Sequence, residues 1–134
     1  MITNDKLIKS AFKARENAYA PYSLFKVGAA LLTDSGIIYG GCNIENASYG
    51  ETVCAERTAF LKAVSEGEKC FKKIAIVGGK DGEKRVFAYP CGACRQVMAE
   101  FCDEDFIIVL TDGETVREYT FREILPLSFN SAVL

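Results

Sequence analysis

Pro90-Cys91-Gly92-Ala93-Cys94-Arg95 opens a helical stretch set between two short apolar runs, residues 74–77 (Ile-Ala-Ile-Val) and residues 106–110 (Phe-Ile-Ile-Val-Leu). Cys54-Ala55-Glu56-Arg57 opens another, between residues 37–42 and the same run at 74–77. Short apolar runs rich in branched side chains predict buried strands, and apolar residues spaced by three and four predict helices packed on them. Linking helices of this length predict crossover connections within one sheet. The two stretches therefore predict two helices laid on a sheet, each entered through a cysteine.

Working outward, Thr3 or Asn4 is expected to cap a first helix with apolar positions Leu7, Ile8, Ala11, Phe12, Ala14, Ala18 and Tyr19, ended by Pro21. Residues 27–32 and 37–42 read as a hairpin turning at Asp34-Ser35-Gly36, followed by a polar loop over 43–52. The second helix carries a stripe of Ala59, Phe60, Ala63 and Val64. The third carries Val97, Met98, Phe101 and Cys102 inward. Residues 78–88, rich in glycine and charge, read as a loop. Asp112-Gly113 is a tight turn between strands at 106–110 and 116–120, and residues 121–125 form a short helix stopped by Pro126. The order α-β-β-α-β-α-β-β predicts a three-layer α/β/α sandwich around a mixed five-stranded sheet. A chain of 134 residues has room for one domain, residues 1–134.

Composition narrows the function. Net charge is −2, and the densest basic stretch, 80–85, is interrupted by Asp81 and Glu83, so a nucleic-acid partner is not expected. No segment approaches the ~20 apolar residues of a membrane span, and residues 1–10 lack the apolar core of a signal peptide. The cytoplasm is the expected compartment. In that compartment six cysteines point to metal or catalysis rather than a disulfide framework. The chain has no histidine, which excludes hydrolases that use a histidine base and leaves thiolate and carboxylate as metal ligands.

Cys54, Cys91 and Cys94 sit at helix starts, where partial positive charge and free N–H donors favour the thiolate. Three thiolates on zinc leave one position open, as a catalytic site requires. They also leave a net charge of −1, which weakens the metal as a Lewis acid. Arg57, three residues after Cys54, and Arg95, four after Cys91, each share a helix face with a ligand. One or both are expected to draw charge from a thiolate. Glu56 converges with Cys54 only if Cys54 is the cap and Glu56 reaches back over the helix start. It then serves as the proton carrier. Two other readings stand beside this one. Cys91-x-x-Cys94 alone matches a thioredoxin-like redox pair, which leaves Cys54 and Glu56 unexplained. One of Cys42, Cys70 and Cys102 as a fourth ligand would close a structural zinc site, although each also reads as a small buried hydrophobe.

At these residues the chain resembles the small zinc-dependent cytidine deaminases. The resemblance is carried by Ala20-Pro21-Tyr22-Ser23, Phe25-Lys26-Val27-Gly28-Ala29-Ala30, Gly41-Cys42-Asn43-Ile44-Glu45-Asn46-Ala47, residues 54–58 and residues 90–96, and it runs from about Ala14 to Leu125. It implies one Zn²⁺ per subunit on Cys54, Cys91 and Cys94, with Glu56 as proton shuttle. It implies that Asn43 and Glu45 hydrogen-bond the ribose hydroxyls, that Phe25 packs near the pyrimidine and that Ala55 contacts the substrate. It also implies a nucleoside substrate, a role in pyrimidine salvage, and a homotetramer with Tyr49 and Phe129 lining a neighbour's site. Cysteine at position 54 and the Asp112-Gly113 hairpin resemble the free-nucleoside branch rather than the nucleic-acid-editing branch. Tyr89 departs from the small polar residue expected before Pro90 and is expected to reshape the pocket rim. Cytidine and 2′-deoxycytidine are the implied substrates, with the antibiotic blasticidin S as the alternative. For Asn43 and Glu45 a loop-capping network is the competing reading, and for Phe25 a place in the core.

Overall fold

The computed structural model describes all residues, Met1–Leu134. Thr3 caps α1 (Asn4–Arg15), its hydroxyl accepting from Lys6 N at 3.2 Å. The helix stops at Arg15, so Ala18 and Tyr19 lie beyond it, contrary to the sequence reading. Tyr19 N instead donates to Asn43 O (3.0 Å), and Tyr19 O accepts from Glu45 N (2.8 Å). The 43–45 segment thus takes the backbone groups that a longer helix would have used.

Five strands follow: β1 (Phe25–Thr33), β2 (Ile38–Cys42), β3 (Phe71–Lys80), β4 (Ile107–Thr111) and β5 (Val116–Thr120). They form one sheet in the order β2-β1-β3-β4-β5. β1 is antiparallel to both of its neighbours, β3 and β4 are parallel, and β5 returns antiparallel to β4. Helices α2 (Ala55–Ser65) and α3 (Gly92–Phe101) are the two crossovers, and α4 (Phe121–Ile124) is a single turn closed by a Thr120/Glu123 capping box.

The period of two along β1 explains the three layers. Ala29 and Leu31 face α2 and α3, together with Ala59, Phe60, Ala63 and Met98. Ala30 and Leu32 face Leu7 and Ala11 of α1. Both faces of the central strands are covered, which is why they read as continuous apolar runs. The expected α/β/α sandwich with a mixed five-stranded sheet is therefore the observed fold.

One boundary differs in a way that bears on the site. Residues 78–80, read as loop, continue β3, with Gly78 opposite Val27 and Gly79 opposite Lys26. Gly78 is required by packing rather than by a turn. A Cβ there would lie 2.9 Å from Ala88 Cβ and 3.1 Å from the Phe25 ring. The end of β3 is thus pressed against residues that line the functional cleft.

Candidate metal centre and substrate cleft

Cys54 is the N-cap of α2 and Cys91 the N-cap of α3, both with extended backbone, and Cys94 lies buried in the first turn of α3. Two crossover helices starting at the same end of the sheet bring the thiols together. Cys54 Sγ is 3.6 Å from Cys91 Sγ, and Cys91 Sγ is 3.5 Å from Cys94 Sγ. All three sulfurs lie within 4.8 Å of one another. A disulfide would need about 2.05 Å. Tetrahedral thiolates at a Zn–S distance of about 2.3 Å stand about 3.8 Å apart, so the trio fits zinc. All six cysteines are free, and Cys42, Cys70 and Cys102 do not join the group. The closed four-cysteine site therefore lacks its fourth ligand.

The trio is electrostatically prepared. Hydrogen bonding from the Cys94 thiol, then from Arg57, pulls the Cys54 thiol down to about 5. The same bond, with burial, pushes Cys94 up, so one thiolate is favoured before any metal arrives. Arg57 Nη2 donates to Cys54 Sγ at 3.6 Å and to Thr52 O at 3.3 Å, while its buried Nε has no partner. Arg95 does not reach a thiolate. Its Nε donates to Pro90 O (2.8 Å) and its Nη1 to Ile124 O (2.5 Å), two carbonyls outside the helical hydrogen-bond ladders. Arg95 thus fixes the segment leading into Cys91, and Arg57 alone is placed to draw charge from a ligand.

Glu56 follows the cap by two residues and is only 4% exposed. Its carboxylate turns back toward its own N–H and the Cys94 thiol. Cys54 does occupy the cap, the condition the sequence reading set for convergence. Burial pushes the Glu56 carboxyl up to about 7. The group can therefore hold or release a proton near neutral pH. It stays outside the compact ligand trio.

Glu56 and the Cys54 and Cys91 thiols lie in a cleft of about 560 Å³ that also holds Phe25, Asn43, Glu45, Ala55 and Tyr89. No lysine or arginine lines it. Asn43 is buried, its Oδ1 accepting from Val27 N (2.9 Å) and its Nδ2 donating to Phe25 O (2.8 Å). One Nδ2 hydrogen and one Oδ1 lone pair remain for a ligand. Glu45 Oε1 accepts from Tyr22 N (2.9 Å) and Ser23 N (3.1 Å), and Oε2 accepts from Ser23 Oγ. The Ser23 hydroxyl, ahead of the backbone donors, holds the Glu45 carboxyl below its usual range. Both side chains thus also cap local structure, as the competing reading had it. Tyr49 (73% exposed) and Phe129 (62% exposed) lie outside this cleft. Tyr89 Oη accepts from Arg117 Nη1 at 3.1 Å.

Sequence reasoning did not assign Ser23, Val27, Thr52 or Ala88 to the cleft. Ser23 falls within the Ala-Pro-Tyr-Ser run, a signal that could have found it. The other three are placed by strand register and loop closure.

The chain matches known proteins across both cysteine motifs. The family profile described as the cytidine and deoxycytidylate deaminase zinc-binding region matches residues 1–110. A cytidine deaminase of Sporosarcina psychrophila is 52% identical over 127 residues, covering 94% of this chain and 90% of that protein. One from Halalkalibacterium halodurans is 52% identical over 126 residues, covering 93% and 92%. The crystal structure of cytidine deaminase from Burkholderia pseudomallei superposes with a TM-score of 0.86 at 48% identity, covering 95% of this chain and 99% of that one. With a sulfur trio spaced for zinc and a profile match that spans it, the chain belongs to the zinc-binding cytidine and deoxycytidylate deaminase family.

Proposed function

We propose that this chain, as one domain over residues 1–134, hydrolyses cytidine and 2′-deoxycytidine to uridine and 2′-deoxyuridine with release of ammonia. The observation that carries this reading is a buried carboxyl, Glu56, poised near neutral pH beside three converging thiols at one end of a cleft. The other end of the cleft presents an amide and a carboxylate, a set suited to a sugar diol.

Cys54, Cys91 and Cys94 would hold zinc, which would supply the Lewis acidity to activate a water for attack at C4 of the cytosine ring. Glu56 takes the first proton from that water and delivers it to N3, then takes the proton of the new C4 hydroxyl and gives it to the 4-amino group, so that the C4 carbonyl forms as the C–N bond breaks and ammonia leaves. Its raised affinity for a proton suits both halves of the task. Arg57 withdraws charge from Cys54 and offsets the electron-rich sulfur set. Asn43 and Glu45 orient the ribose, and Phe25 and Ala55 border the pyrimidine. The cleft lacks basic residues, which supports an uncharged nucleoside over a nucleotide or nucleic acid.

Tyr49 and Phe129, exposed and outside their own chain's cleft, support a homotetramer in which each reaches a neighbour's site. Sedimentation should then give four times 14.7 kDa, with one zinc per chain. The cellular setting that fits is pyrimidine salvage in the cytoplasm. No helix is long and apolar enough to cross a membrane. The deciding experiment is a timed ultraviolet spectrum of the zinc-replete protein with cytidine. Conversion to uridine is expected, and no conversion with zinc bound would overturn the reading.

A further inference from the structure

We propose that Arg15, seated on Asp81, is a positioning residue for the cleft: it fixes the Phe25–Val27 wall from the side opposite Asn43 and so sets where the Asn43 amide stands. The inference rests on the reading of Asn43 as a sugar ligand.

Arg15 is the last residue of α1, and the helix meets β1 at backbone contact there. A Cβ on Gly28 would lie 2.1 Å from Ala11 O and 2.5 Å from Arg15 N. The Arg15 side chain therefore leaves the helix directly at the start of β1, where it is only 12% exposed. Its Nε donates to Lys26 O at 3.1 Å. Its Nη2 donates to Gly79 O at 2.5 Å and to Asp81 Oδ1 at 3.1 Å. Lys26 and Gly79 are opposed in the β1–β3 ladder, so one guanidinium ties the two strands together where the ladder ends. Asp81 completes the clamp by accepting from Lys26 Nζ at 2.6 Å.

Backbone groups of successive strand residues point to opposite edges. Phe25 O and Val27 N point one way and are both held by Asn43. Lys26 O, between them, points the other way and is held by Arg15. The three residues are thus gripped alternately from two sides. Releasing Arg15 removes the side-chain donor on Lys26 O and the tie to Gly79 O, and lets the segment that locates the Asn43 amide shift. Glu56 and the three thiols depend on α2 and α3 and do not use this contact. A fault in the clamp should therefore appear in substrate binding and not in chemistry.

The test uses the zinc-replete full chain with cytidine. Arg15→Gln should raise KM about tenfold, with kcat within about twofold and zinc content unchanged. Asp81→Asn, at an exposed carboxylate, should raise KM about threefold, and it carries the test if Arg15→Gln does not fold. In an Asn43→Ala background, Arg15→Gln (or Asp81→Asn) should add less than about twofold to KM, because both act through one contact. An Asn43→Ala variant with unchanged KM would remove the sugar-ligand reading on which the inference rests. A raised KM in Asn43→Ala with none in Arg15→Gln or Asp81→Asn would overturn the positioning role and leave that reading standing. Full additivity in the double variant, or loss of zinc with kcat, would also overturn it.

Discussion

The two ends of the cleft are assembled by different means. At the metal end, Cys54, Glu56, Cys91 and Cys94 all lie in the cap or first turn of a helix, and each pair within a motif is two or three residues apart. At the other end, Asn43 and Glu45 are held by groups 16 to 23 residues away, on β1 and in the 22–23 turn. The metal end is local chemistry placed by two crossovers. The Asn43–Glu45 end is a set of long-range hydrogen bonds in which each side chain serves the fold and, in the proposed function, the substrate too. Changes at the metal end should therefore strike turnover with little effect on folding, and changes at the other end should strike KM and stability together.

The sharpest way to break this contrast is at Glu56. Glu56→Gln should retain zinc and lower kcat by about 10³-fold or more, at the upper part of the range for a general acid–base group. Near-normal turnover in that variant would refute the proton-shuttle role and reopen the redox and structural-zinc readings. Stripping zinc with a chelator should abolish activity, and adding zinc should restore it. The fold should survive in the stripped protein, because none of the three cysteines belongs to either apolar cluster of the core.

Arg57→Gln should lower kcat by about 10-fold or more while zinc content falls far less, since Arg57 contacts a ligand without being one. Equal loss of both would remove its charge-drawing role. Asn43→Ala should raise KM for cytidine about tenfold and also cost about 1–3 kcal/mol of stability, because Val27 N and Phe25 O lose their partner. A raised KM at unchanged denaturation midpoint would blur the contrast between the two ends.

The smallest effect is in acid. Glu45 is held below its ordinary 4.5 by Ser23 and the Tyr22 and Ser23 N–H groups. A depressed carboxyl adds stability that is present above the unfolded value and lost as pH falls through the folded one. Thermal midpoints of the wild type should thus decline from about pH 4.5 downward more than those of Glu45→Gln, and the difference should shrink in salt. Parallel declines would mean the Glu45 contacts add nothing to the fold.

Legibility followed the same division. The cysteine motifs could be read as a zinc site because ligand type and helix-start position are written in adjacent residues. Five strands and four helices could be read because both faces of the central strands are buried and the turns are marked. The end of α1 could not. Ala14, Ala18 and Tyr19 continue a helical period, and only the competing pairing of Tyr19 with the 43–45 segment ends the helix at Arg15. The roles of the two arginines could not be told apart either. Arg57 and Arg95 stand at similar offsets from a ligand, yet one reaches sulfur and the other two backbone carbonyls.

By itself the sequence determined the fold class, the three thiols and the carboxyl beside them, because these depend on residue type and on spacings within a single turn or strand. Only the tertiary structure decided that Cys42, Cys70 and Cys102 stay apart from the trio, that β3 runs on to Lys80, and that Asn43 and Glu45 share their hydrogen bonds with the backbone. Those outcomes depend on which distant groups arrive at the same point. Sheet register and close packing at glycines such as Gly28 and Gly78 set that meeting, and no short stretch of sequence contains it.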